Sequence, residues 1–315
     1  MCCYGAVSFQ DPLSVKQVQP SQLPRAVWSA RRAAHQERVD GWISEHLDRR
    51  RRGAKHPVHD FLFTYYSFRP AQLRRWHPGA GVVLAGADPA DLGAGYRKVD
   101  GGATLDVAAV VARRGNSVAR IRELLAATAA RPAQFGCFGL HEWAMVYRQS
   151  PDEIRHDAWP LRLGPDGTAE VVEAARITCS HFDAYRFFTA PARSLNLLAP
   201  TRETQTDLEQ PGCLHANMDL YKWSYKLSPL VPSELVADCF AFARRVRTLD
   251  MRASPYDLTG LDLTPVPIET PDGRAEYVAA QRAFATEAAD LRHRLRSASV
   301  LSGHLVGAAT AGPTG

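Results

Sequence analysis

Four short segments place histidine beside or near a carboxylate among aromatic residues: His56-Pro57-Val58-His59-Asp60, Leu140-His141-Glu142-Trp143, Ser180-His181-Phe182-Asp183, and His215 with Asp219. Imidazoles and carboxylates exchange protons near neutral pH and ligate metal ions, and apolar surroundings strengthen both functions. On a helix, His215, Asp219, Lys222 and Lys226 share one stripe, so Asp219 can orient His215 as an acid or base, or the two can share a metal. A surface His-Asp-Lys network fits the same stripe. His181 and Asp183 are two apart and share a face if the segment is a strand, with Tyr185 next on that face. Glu142, next to Trp143 and between apolar neighbours, is a carboxylate placed for acid or base work. His141 adjoins it but lies about 100° around a helix, so the two are expected to point apart. Pro57 disfavours a helical ligand pair at His56 and His59.

Taken together, His59, His141, His181, Asp183, His215 and Asp219 are the candidate ligands for iron, manganese or zinc. Cys137, Cys179 and Cys213 each precede a histidine by two to four residues, a spacing that buried small residues also produce. HExxH, Walker A, GxGxxG and GxSxG patterns are absent from the sequence.

The elements that must position these residues are mostly helical. Between Arg25 and Arg52 the apolar residues Val27, Trp28, Ala34, Val39, Trp42, Ile43 and Leu47 recur at helical spacing, and the arginine run before Gly53 suits a helix C-terminus. Phe61 to Tyr66 is too aromatic for a surface helix, and Pro70 opens a short basic one. Helices are expected over about 107 to 130, interrupted near Gly115, and over 138 to 148, 214 to 227, 233 to 251 and 274 to 297, with Ser233 as a cap. Short strands are expected at Val82 to Leu84 and Thr104 to Val107, at 169 to 177 after the Gly164-Pro165-Asp166-Gly167 turn, and over 182 to 188. This predicts an α+β fold: one mainly helical domain over 24–300 with a small sheet or hairpin layer, between disordered tails at 1–23 and 301–315.

The chain has 315 residues, 45% of them hydrophobic and 23% charged, a composition that excludes intrinsic disorder. The net charge of +5 permits an anionic partner without requiring one. No apolar run approaches the roughly 20 residues that span a bilayer, and no signal-peptide pattern opens the chain, so a cytoplasmic protein without a membrane partner is expected. Six cysteines without CxxC spacing read as reduced thiols.

Across about residues 27 to 297, the strings KHPVHDFLFTYYSFRPAQLRRWHPG, FGCFGLHEWAMVYRQ, CSHFDAYRFFT, QPGCLHANMDLYKWSYKLSP and LDMRASPYDL resemble a group of actinobacterial proteins named 3-methyladenine DNA glycosylase. The resemblance implies a DNA repair hydrolase that needs no cofactor, extrudes an alkylated purine from duplex DNA and hydrolyses its N-glycosidic bond. Under it, Glu142 or Asp219 would activate water and stabilise the cationic sugar, with His181, Asp183 and His215 completing the catalytic set. Tyr65, Tyr66, Trp76, Trp143, Tyr185, Tyr221 and Trp223 would stack on the base. Arg49, Arg50, Arg51, Arg52, Lys55, Arg74, Arg75 and Lys222 would hold phosphates. The chain departs from helical alkyladenine glycosylases in lacking a clear helix-hairpin-helix followed by an aspartate. The alternative expectation is a His/carboxylate metal enzyme acting on a small molecule.

Overall fold

The computed structural model describes residues 21–150, 153–154 and 158–310. The chain is α+β and mainly helical, with one four-stranded sheet among the described residues. Most of the expected tails, 1–20 and 311–315, lie outside the described residues; Ser21–Leu23 form a strand and the last helix runs on to Thr310.

Helix α1 (Arg25–Arg51) buries Trp28, His35, Val39, Ile43 and His46, a single stripe at helical spacing, and ends with Arg49, Arg50 and Arg51 in its last turn. Short helices α2 (Phe61–Tyr65), α3 (Pro70–Arg74) and α4 (Pro89–Leu92) follow, interleaved with the sheet. The sheet is ordered β1 (Ser21–Leu23), β2 (Val82–Ala85), β4 (Gly102–Leu105), β3 (Tyr96–Val99). Its first pair is parallel and the others antiparallel. Gly102 is required in β4, because a Cβ there would lie 2.1 Å from the Leu84 carbonyl oxygen. The sheet closes on α1 through a cluster of Trp28, Trp76 and Leu84, and Trp28 Nε1 donates to the Ala85 carbonyl at 3.1 Å.

Helix α5 (Val107–Ala130) is continuous through Gly115, where the sequence predicts an interruption; burial of Val118, Ile121, Leu124 and Leu125 holds the turn that Gly115 and Asn116 weaken. After α6 (Leu140–Ala144) the chain departs again from the sequence expectation. The segment 169–177 lies mostly in a helix, α7 (Gly164–Ala174), whose Gly-Pro start supplies Pro at the first turn instead of a hairpin turn. The predicted strand 182–188 opens with a one-turn helix, α8 (Phe182–Tyr185), capped by the His181 side chain.

Two more short helices, α9 (Ala190–Arg193) and α10 (Gln205–Leu208), lead to the core. The helix expected over 214–227 runs as α11 (Leu214–Met218) and α12 (Leu220–Leu227), joined at Asp219, whose backbone stays helical. Helix α13 (Ser233–Arg252) packs against α11, α12 and α14 (Pro271–Thr310), and α5 packs on α14. Its cap position is Pro232; the Ser233 hydroxyl instead donates to the Arg75 carbonyl and accepts from the His77 N–H. Among the described residues no helix is long and apolar enough to cross a membrane.

Candidate functional site

The chain enters the site through a tight turn. Phe138 (φ 46°) and Gly139 (φ 70°) both take the left-handed region, and a Cβ on Gly139 would sit 3.3 Å from the Tyr277 hydroxyl. That turn delivers α6 into the core with His141, Glu142 and Trp143 all buried. Trp143 Nε1 anchors the helix by donating to the Ala253 carbonyl at 2.8 Å.

From α13 come Arg247 and Asp250, three apart and therefore on one face. Arg247 Nη1 donates to Glu142 Oε1 at 2.6 Å and to Asp250 Oδ2 at 2.7 Å, with its guanidinium 3.9 Å from the Phe61 ring centroid. His141 Nε2 lies 3.0 Å from Asp250 Oδ1 and 3.8 Å from Glu142 Oε1. His141 and Glu142 thus converge, against the expectation that they point apart, because α6 is a single short turn and Arg247 draws the carboxylate inward. Burial opposes ionisation of Asp250, but His141, His215 and Arg247 hold its carboxyl well below the usual carboxylate range.

His215, on α11, sits edge-on to His141 with ring centroids 4.1 Å apart, and 5.4 Å from the His181 ring. Burial, then the neighbouring His141, pushes His215 far below the ordinary imidazole value, so its ring is neutral and its lone pair is free for a metal. Donor atoms of His141, His215 and Asp250 all lie within 4.8 Å of one another. His141 Nε2 and Asp250 Oδ1 meet in a buried polar contact, and neither atom has a further hydrogen-bond partner.

A second polar layer adjoins this group. His181 Nδ1 accepts from the Ala184 N–H at 3.3 Å, which leaves Nε2 as the protonated nitrogen. That nitrogen faces Glu209 Oε1 at 3.5 Å and Asp219 Oδ2 at 3.4 Å. Burial disfavours the His181 cation, yet Asp219 and Glu209 outweigh it and raise the imidazole above its ordinary value. Asp219 accepts from the Tyr66 hydroxyl at 2.7 Å and from Lys222 Nζ at 3.0 Å. Lys222 also donates to Asp183 Oδ2 at 2.6 Å, and Arg186 pairs with Asp183 at 3.2 Å. The sequence pairings are therefore exchanged: His215 meets His141 and Asp250, while Asp219 meets His181.

The remaining sequence candidates fall elsewhere. His59 lies 3.3 Å from Arg244 and stacks near His56, and it is not part of the converging donor set. Arg49 is bound to Asp60 at 2.8 Å, Arg51 to Asp48, and Arg74 to Asp40 at 2.6 Å; Arg50, Arg52, Lys55 and Arg75 are exposed. Trp143 and Tyr221 are fully buried, and Tyr185 packs on Phe188.

Three cavities border the polar layers, one of them a pocket of about 20 Å³ against His141, His215 and Cys213. A small one of about 50 Å³ is bordered by Glu142, His215 and Arg247 together with Phe61, Tyr65 and Asp183. A wider one of about 500 Å³ opens on the other side of Asp183 and Lys222, with Phe182 and Trp223 in its wall. Asp250, Arg247 and Glu209 were missed by sequence reasoning. The available signal is the stripe Val236, Phe240, Ala243, Arg247, Asp250, in which two charges continue a buried apolar face of α13. Comparisons with protein-family models, with curated proteins and with solved structures each return no match.

Proposed function

We propose that this chain is a metal-dependent enzyme acting on a small molecule, with iron, manganese or zinc held by His141, His215 and Asp250. The observation that carries the reading is the convergence of His141, His215 and Asp250, whose donor atoms all lie within 4.8 Å of one another, with His141 Nε2 and Asp250 Oδ1 3.0 Å apart. Converging buried imidazole and carboxylate groups are the donor types that iron, manganese and zinc take. With metal–ligand bonds of about 2.1 Å, adjacent ligands of an octahedral ion stand about 3.0 Å apart. Two histidines and one carboxylate leave further coordination positions open, and His215 borders the small cavity. Two carboxyl groups, Glu142 and Asp250, face the single Arg247 guanidinium, a balance that suits a cation. A metal there would supply Lewis acidity to a bound water or substrate oxygen.

Metal analysis of protein purified without chelator tests the reading. One equivalent of iron, manganese or zinc is expected, and His215→Ala and Asp250→Asn each remove it. Metal below a tenth of an equivalent after supplying all three ions in turn sinks the proposal.

A second reading, the alkylated-purine DNA glycosylase of the sequence resemblance, is favoured by the Phe182 and Trp223 walls of the wide cavity. It is weakened by its own carboxylates: Glu142 is bound to Arg247, and Asp219 is bound to both Tyr66 and Lys222. Release of free 3-methyladenine from alkylated duplex DNA, abolished by Asp219→Asn in a folded protein, would establish it.

A further inference from the structure

The wide cavity lies between α5, α12 and the chain around α10, and its walls are built for an anion. Arg114, Arg120, Arg202, Lys222 and Lys226 line it against a single carboxylate, Asp183. Lys222 is already bound to Asp183 and Asp219. Among the described residues none of Arg114, Arg120, Arg202 and Lys226 is in salt-bridge contact with a carboxylate; Glu203, exposed nearby, offsets part of the charge of Arg202 and Arg120. Burial, then Lys222, lowers the Lys226 ammonium, and burial, then Arg113, lowers the Arg114 guanidinium. Both carry a charge that an anion would stabilise.

The same walls hold two flat rings. Lys222 Nζ and Lys226 Nζ stand 4.7 and 5.6 Å from the Trp223 ring centroid, and the Arg202 guanidinium 5.7 Å from that of Phe182. Guanidinium groups bind phosphate oxygens in forked pairs, and aromatic faces stack on planar rings. The volume, about 500 Å³, falls within the range of about 300 to 1,000 Å³ typical of small-molecule pockets.

We infer that this cavity is a binding site for a small organic phosphate carrying a planar ring, of the size of a nucleoside monophosphate. None of His141, His215 and Asp250 lines this cavity, so binding is tested in the presence of EDTA and repeated with the His215→Ala variant. Failure of the metal reading then leaves this test intact.

The experiment is calorimetric titration of the full chain with adenosine 5′-monophosphate, adenosine, inorganic phosphate and a single-stranded dodecamer. The inference expects saturable binding of the monophosphate, at least tenfold tighter than adenosine or phosphate alone. Arg202→Gln and Arg120→Gln, both at exposed positions, each weaken it at least fivefold without shifting the thermal midpoint. Absence of monophosphate binding, equal affinity for adenosine, or binding unaltered in both variants overturns the inference. Tighter binding of the dodecamer than of the monophosphate overturns it too, in favour of a nucleic-acid strand.

Discussion

At the residue scale, Arg247 decides whether the buried carboxylates are tolerable. Its Nη1 binds Glu142 and Asp250 at once, and its side chain is almost wholly buried. Removing one partner of such a group strands the rest: Arg247→Met is expected to cost about 3–5 kcal/mol, read from denaturant unfolding. Tyr66→Phe deletes one donor to the Asp219 carboxylate, for about 1.5–3 kcal/mol in the same assay. His141 and His215 were legible in the sequence because each stands beside or one helical turn from a carboxylate, Glu142 and Asp219. Asp250 was not, because its partners are 109 and 35 residues away and only the folded chain brings them to it.

At the element scale, the site depends on short helices whose ends aim side chains. Asp219 ends α11 and begins α12 with a helical backbone, its N–H donating to the His215 carbonyl at 2.8 Å, so the two residues stay one turn apart and are drawn to different partners, His215 to His141 and Asp219 to His181. The sequence carries no proline or glycine at that junction, which is why the helical run was legible. The turn at Phe138 and Gly139 is the other determinant. Gly139→Ala places a Cβ against the Tyr277 hydroxyl in a left-handed backbone, a cost of about 1–3 kcal/mol. The same variant is expected to retain less metal than the parent after dialysis, since α6 carries His141. An unchanged unfolding midpoint would show that the turn can relax without cost. Long periodic elements such as α1, α5 and α13 were legible; the segment 169–177 was not, because its apolar residues fit a strand as well as a helix face.

At the scale of the whole molecule, the mainly helical α+β architecture followed from helical periodicity and the sparse strand signals, while the convergence of His141, His215 and Asp250 depends on how α6, α11 and α13 pack. That packing also shapes the response to acid. Burial, then His59, lowers His56 to about 4; burial, then Arg75, lowers His77 to about 4. Both values lie below the unfolded imidazole value of about 6.5, so the unfolded chain takes up protons first on acidification. Their contribution is present in full above about pH 6.5 and is lost as pH falls toward about 4. Thermal melts across that window should show the midpoint falling with pH, and a flat profile would contradict the assignment.

The most direct test of the central claim is an anomalous difference map from crystals of the protein, collected at the absorption edge of whichever metal it carries. The account predicts one peak within about 2.0–2.4 Å of His141 Nε2, a ring nitrogen of His215 and Asp250 Oδ1. A map with no peak there, and a hydrogen bond joining His141 to Asp250 in its place, would contradict it.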